Sequence, residues 1–223
     1  MRSLEEMLGG LPIAQQVSIP TDPEPIPQHI YIDPGIVGYS DTHIQNSIYH
    51  LTIHGKLPLI GPVSVIDIGA GRGDIYRYIQ QSYNYQPGEL TYTGYETNPL
   101  LAQVGNEMLA NTNATIQNID FLLSGDVHAE YVIMVGSLNL NYGRDTKDWP
   151  YFEQFLQKAI EVSTERVIFV MLHNNGGNES YIAYPIPNVT DLVLQYNLPF
   201  QIDYGTIEDV YILTIDTSKK RIA

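Results

Sequence analysis

The sequence predicts an α/β fold built on a seven-stranded, mostly parallel sheet with an antiparallel last strand and helices on both faces. Three observations lead there. From residue 63 onward, short β-branched runs alternate with longer segments of helical apolar spacing, the pattern of repeated βα units. The first run, Val65-Ile66-Asp67-Ile68, breaks directly into Gly69-Ala70-Gly71-Arg72-Gly73-Asp74. Such a turn lets backbone adopt positive φ and approach a ligand with no Cβ in between. The last two runs, 200–204 and 210–215, are joined only by Gly205 to Asp209, too short a link for a parallel crossover.

Taken in order, Leu4, Met7, Leu8 and Leu11 give residues 1–12 a short amphipathic helix, stopped by Gly9-Gly10 and Pro12. Pro20, Pro23, Pro25, Pro27 and Pro34 then remove donors and block helix, so residues 1–37 read as an extended, proline-rich arm and 38–223 as the folded domain. Asp41, or Ser40, caps a helix with an apolar stripe of Ile44, Ile48 and Leu51, ended by Gly55. His43, His50 and His54 share roughly one face of it, with no carboxylate beside them to complete a metal site. Strands follow at 63–68, 90–95, 114–119, 131–136 and 166–172, with helices at 74–83, 99–111, 149–162 and 189–196. Pro99 suits a first helical turn capped by Thr97 or Asn98, and Phe152, Phe155, Leu156 and Ile160 mark the inward face of the 149–162 helix.

Composition narrows the function. With 43% apolar residues the chain can fill one large core, and no apolar run approaches the length of about 18 that spans a bilayer. There is no cysteine, hence no disulfide, thiol nucleophile or thiolate metal site. The 25 acids against 11 basic residues give a net charge of −14, which repels a nucleic acid at long range; Lys219-Lys220-Arg221 is most simply a solvated tail. A cytoplasmic setting, an acceptor other than nucleic acid, no membrane, and a protein partner met through the arm are the expectations.

The glycine spacing, Gly69-x-Gly71-x-Gly73, is one residue shorter than the dinucleotide fingerprint, and Asp67 lies two residues before the first glycine. This counts against a nicotinamide-dependent oxidoreductase. Spacing, acid and strand order together resemble a class I S-adenosylmethionine-dependent methyltransferase, Rossmann-like, over residues 38–216. The resemblance implies a cofactor lying against Asp67, Gly69, Ala70, Gly71 and Gly73, with Glu96 accepting from both ribose hydroxyls. It also implies that Thr97 and Asn98 flank the adenine. Asp120 would accept from the exocyclic amine, with Phe121 or Ile119 against the ring, and Gly136 and Ser137 would lie beside the methionine moiety. For Asp120 a helix cap is the other reading. Gly38-Tyr39-Ser40-Asp41 with Gln45, Tyr92-x-Gly94-Tyr95-Glu96, and Gly136-Ser137-Leu138-Asn139 are similar to a little-characterised bacterial and phage subgroup, in which the upstream helix would cover the cofactor and Tyr39 or Gln45 its amino-acid end.

Catalytic candidates are fewer. His173 ends the fifth βα strand, where a general base could sit or a histidine serve structure alone, and Asn139 and Tyr142 follow the fourth. The loop Ser137-Leu138-Asn139-Leu140-Asn141-Tyr142 departs from the Asn/Asp-Pro-Pro-aromatic loop of amino-methylating nucleic-acid enzymes. Asn139, Asn141 and Asp145 only faintly echo a metal-dependent catechol-type site, so no metal is expected. Asn174-Asn175-Gly176-Gly177-Asn178 reads as a flexible lid or a long polar loop. Two functions compete: methyl transfer to a small-molecule or protein acceptor, and a structural or assembly protein, for example of a phage particle, that keeps the fold without catalysis. The second would associate with virions.

Overall fold

In the computed structural model, residues 26–141 and 149–220 are described. Seven strands form one sheet: β1 (Val63–Ile68), β2 (Leu90–Tyr95), β3 (Ala114–Gln117), β4 (Ala129–Val135), β5 (Ser163–Leu172), β6 (Phe200–Tyr204) and β7 (Val210–Asp216). Their order is β3-β2-β1-β4-β5-β7-β6. β7 pairs antiparallel with both β5 and β6, and the other pairs are parallel. Register puts Asp67 of β1 between Gly94 of β2 and Ile133 of β4, at the carboxyl edge where the parallel strands end together.

Alternation along the strands makes two cores. Val63 and Val65, Tyr131 and Ile133, Ile168 and Val170 point to one face. There they meet α2 (Thr42–Ile53), through Ile48, Tyr49 and Ile53, and α3 (Asp74–Tyr83), through Ile75, Tyr76 and Ile79. Ile66 and Ile68, Val132 and Met134, Val167 and Phe169 point the other way. They are covered by α5 (Trp149–Val162) and α6 (Ile186–Leu194). α4 (Pro99–Met108) lies on β3 and is capped by Asn98, whose side chain accepts from the Leu100 and Leu101 amides. Asp41 caps α2 by accepting from the Ile44 amide. No helix among the described residues is long and apolar enough to cross a membrane.

Several boundaries differ from the expected ones. β4 begins at Ala129 and β5 at Ser163, where the chain leaves α5 with no intervening turn. β3 ends at Gln117 and α4 at Met108, both earlier than expected. α6 starts at Ile186 because Pro187 is accepted in a first helical turn. The larger correction concerns the arm. Residues 1–25 lie outside the described residues, but 26–37 are not extended. They form one helical turn, α1 (His29–Ile32), and a 3-10 turn (Pro34–Val37) capped by the Asp33 side chain accepting from the Gly35 amide. Ile30, 4% exposed, packs on Leu100 and Val104 of α4. Pro34, which argued for extension, instead begins the 3-10 turn, where its missing N–H costs nothing.

Candidate functional site

The β1–α3 connection is a left-handed staircase: Gly69, Gly71 and Gly73 have φ of +73°, +54° and +73°. The Gly69 and Ala70 amides donate to the Tyr95 carbonyl at 2.8 and 3.1 Å, so the turn is bound to the end of β2. A Cβ on Gly69 would lie 2.2 Å from the Ser137 Cβ, and one on Gly73 2.7 Å from Leu109. Conformation thus calls for glycine at all three positions, and at Gly69 space does as well.

Two acids converge on the turn. Glu96 accepts the Gly71 amide on Oε2 at 2.9 Å and the Asn98 amide on Oε1 at 2.7 Å. Burial pushes its carboxyl up from the ordinary range, and the amides of Asn98, Gly71 and Thr97 oppose this. Asp67 is 3% exposed and accepts from the Tyr92 hydroxyl. Burial pushes it up to about 7; the Tyr92 hydrogen bond opposes this, and the nearby Glu96 and Asp74 carboxyls add to it. Asp74, in the first turn of α3, accepts Arg72 Nε and Nη2 on Oδ2 at 3.2 and 3.0 Å and pairs with Arg77 through Oδ1. Asp67 and Asp74 wall a cavity of about 30 Å³ with Tyr39, Tyr49, Gly69, Ala70, Gly71, Ile75 and Val135. Tyr39 and Tyr49 meet edge to face at 5.8 Å, and the Gln45 amide donates to the Tyr49 hydroxyl at 3.1 Å and to Asp74 at 3.5 Å. Tyr39 thus lies in the cavity wall at the glycine turn, and Gln45 reaches it through Tyr49 and Asp74.

A larger cavity, of about 360 Å³, lies between Leu51 and Lys56 near the end of α2 and Ile202, Asp203, Tyr204, Ile207, Val210 and Ile212 of the β6–β7 hairpin. Its charged groups are already paired, Lys56 to Asp203 at 3.5 Å. The glycine turn is the better candidate despite its smaller space, because the Asp67 and Glu96 carboxyls are buried and perturbed.

The other predicted residues divide. Gly136, at φ +74°, leaves β4 with open space where a side chain would be, and the Ser137 hydroxyl donates to the Ile68 carbonyl at 3.0 Å. Thr97 is exposed beside Glu96. Asp120 caps the 3-10 turn Phe121–Leu123 by accepting from the Leu122 amide at 2.8 Å. Phe121 is a correction: its ring is 2% exposed, packed on Tyr95 and Phe155 under the Lys158 ammonium, so no face is left for an adenine. Ile119, half-buried, is the remaining apolar side chain there. Asn139 is also corrected. It is 3% exposed; its Nδ2 donates to the Ile182 carbonyl at 2.7 Å, and its own carbonyl accepts the Ile182 amide at 2.7 Å. It ties two loops together rather than facing a reactant. Tyr142 and Asp145 lie outside the described residues.

His173 stands just past β5, 39% exposed at its side chain, with Nε2 3.8 Å from Asp209 Oδ1. Its amide donates to the Asp209 carbonyl at 2.9 Å. The following loop is not a free lid. Asn174, Asn175 and Asn178 accept the Gly176, Gly177 and Ser180 amides, Asn175 donates to the Tyr181 carbonyl, and Tyr181 bridges to Leu140. His50 and His54 stack at 4.5 Å, and among the described residues no cluster of three His, Asp or Glu converges as a metal site. Sequence reasoning missed Tyr49, Arg72, Asp74 and Asp209 as site residues. Only Tyr49, four residues after Gln45 on one helix face, carried a readable signal.

No protein-family model and no curated protein sequence matches the chain. Solved structures do match in fold. Magnesium protoporphyrin IX methyltransferase from Synechocystis PCC 6803, with bound SAH, superposes with a TM-score of 0.58 at 14% identity, covering 85% of this chain and 91% of that one. The mitomycin 7-O-methyltransferase MmcR gives 0.59 at 16% identity over 85% of this chain and 59% of that one. A methyltransferase from Pyrococcus furiosus gives 0.56 at 11% identity, over 80% and 84%. At such identities the likeness is one of fold: the Rossmann-like, seven-stranded fold of S-adenosylmethionine-dependent methyltransferases.

Proposed function

We propose that this chain is an S-adenosylmethionine-dependent methyltransferase whose cofactor lies along the glycine turn. The observation that carries the reading is the pair of buried carboxylates, Asp67 and Glu96, beside three left-handed glycines at the carboxyl edge of this sheet. The residues fit such a ligand. Asp67 is a buried acid whose pKa is pushed up to about 7 and which has no cation bonded to it among the described residues, so it suits a group that brings positive charge. Glu96 is fixed by backbone amides with both oxygens oriented, as recognition of a vicinal diol requires. Gly69, Ala70, Gly71, Gly73 and Gly136 would form the wall, Thr97, Asp120 and Ile119 the adenine end, and Tyr39 the amino-acid end.

When bound, this cofactor supplies an electrophilic methyl group on a sulfonium. The chain's task is to hold a nucleophile in line, keep water out and take a proton where the acceptor carries one. His173, whose backbone amide is tied to the Asp209 carbonyl, is the general base, and Asn139 holds the loop at Ile182 in position. The acceptor is a small molecule or a protein surface; the charge of −14 argues against nucleic acid. The setting is cytoplasmic.

A second reading, a structural or assembly protein, draws on one observation: Tyr39 and Tyr49 leave a cavity of only about 30 Å³ at the turn. Calorimetry with S-adenosylmethionine and S-adenosylhomocysteine decides between the two. The methyltransferase reading expects micromolar binding by the full chain. Glu96→Ala weakens it by about tenfold or more, and Gly71→Arg abolishes it. No heat and no thermal shift with the wild-type protein would leave the assembly reading standing.

A further inference from the structure

Arg72 is the only buried basic side chain among the described residues, at 1% exposure. A buried guanidinium must be paired and its donors satisfied. Nε and Nη2 donate to Asp74, but Nη1 donates at 2.7 Å to the carbonyl of Ile30, 42 residues upstream. Ile30 in turn packs on Leu100 and Val104 of α4, and the Tyr31 hydroxyl donates to Glu107. From there the chain passes Gly38, at φ +90° with open space where a side chain would be, and enters the cavity at Tyr39. It is fastened again where Gln45 of α2 reaches Asp74. The segment is thus tied to the glycine turn on both sides of Tyr39, and Tyr39 and Tyr49 fill space that a nucleoside-sized ligand needs. Ligand sites usually offer a few hundred Å³, against about 30 Å³ here.

We infer that Arg72 is a positioning residue that locks residues 26–37 onto the glycine turn, so that the site opens by rotation of Tyr39 and the first turn of α2 about Gly38 while α1 and the core-packed remainder of α2 stay in place. The identity of the incoming ligand rests on the methyltransferase reading; the lock does not. The 26–37 segment is then part of the cofactor site and not an appendage to it.

Hydrogen exchange on the full chain tests this, for wild type, Arg72→Gln, Ile30→Glu and the double variant, each with and without S-adenosylhomocysteine. Without ligand, each single change is expected to speed exchange of the amides at 26–38 and 69–74 by about tenfold or more. The double variant adds little further, since each change by itself releases the same segment. In the wild type, the ligand speeds exchange at 39–45 and leaves 30–36 protected. Arg72→Gln leaving 26–38 as protected as the wild type overturns the lock, as does full additivity of the two changes. Ligand deprotection of 30–36 equal to that of 39–45 overturns the pivot. Should Arg72→Gln unfold, Ile30→Glu alone carries the first comparison, because it leaves Arg72 and the sheet intact; unchanged exchange at 69–74 then counts against the lock. If the wild type takes up no ligand, the cofactor reading fails while the unliganded comparison still judges Arg72.

Discussion

Asp67→Asn stabilises the unliganded protein at pH 8 and weakens its binding of S-adenosylhomocysteine. In the folded chain the Asp67 carboxyl is pushed up from 3.8 to about 7, chiefly by burial. Below pH 4 both folded and unfolded chains hold the proton, and Asp67 costs nothing. Between pH 4 and 7 the unfolded chain releases it while the folded chain keeps it, so stability falls as pH rises. Above 7 the folded chain has lost it too, and the loss levels off. A shift of this size corresponds to a penalty on the order of 4 kcal/mol. Asparagine keeps an oxygen to accept from Tyr92 and carries no charge to desolvate. Urea unfolding from pH 4 to 8 should therefore show a steep decline for wild type and a shallower one for the variant. Some slope persists because the Glu96 carboxyl is raised in the same direction. Equal slopes would mean that Asp67 is not the buried acid described. Binding moves oppositely, because the positively charged α-ammonium group of the ligand is what offsets the buried carboxylate; a loss on the order of tenfold is expected for the variant.

The parts of this site that were legible in the sequence are those encoded within a few residues. Asp67 and the three glycines sit on one strand–turn–helix, and Glu96 ends the next strand, so local pattern locates them. The antiparallel edge was legible because five residues cannot carry a crossover. The features that escaped depend on contacts between distant segments. Arg72 looks like a solvated residue between two glycines until Ile30 and Asp74 enclose it. Prolines in 18–37 argue for extension, but apolar contact of Ile30 with α4 outweighs that local preference. Phe121 follows an acid at a strand end, yet the core on that face takes its ring. The asparagine- and glycine-rich loop at 174–178 has the composition of a flexible lid, but its asparagines fold back on its own amides, and Asn139 and Leu140 fasten residues 181 and 182 just beyond it.

Gly69→Ala separates the two demands made on the turn. The residue holds φ +73°, and the new Cβ would lie 2.2 Å from the Ser137 Cβ and 2.7 Å from its Oγ. A left-handed alanine costs about 1–2 kcal/mol. Overpacking against a fixed neighbour adds about 1–3 kcal/mol. Ser137 cannot simply turn away, because the contact is with its Cβ and its hydroxyl is bonded to the Ile68 carbonyl. Urea unfolding of Gly69→Ala should show a loss on the order of 4 kcal/mol. Ser137→Gly alone should lose about 1 kcal/mol with its hydrogen bond. In the double variant the clash is absent, the left-handed strain persists and the Ser137 hydrogen bond is lost, so it should be more stable than Gly69→Ala alone by the steric share less that bond, on the order of 1 kcal/mol. Simple additivity of the two losses would mean that β1 and β4 do not press together at this point. The wall on which the proposed cofactor rests would then need a different account.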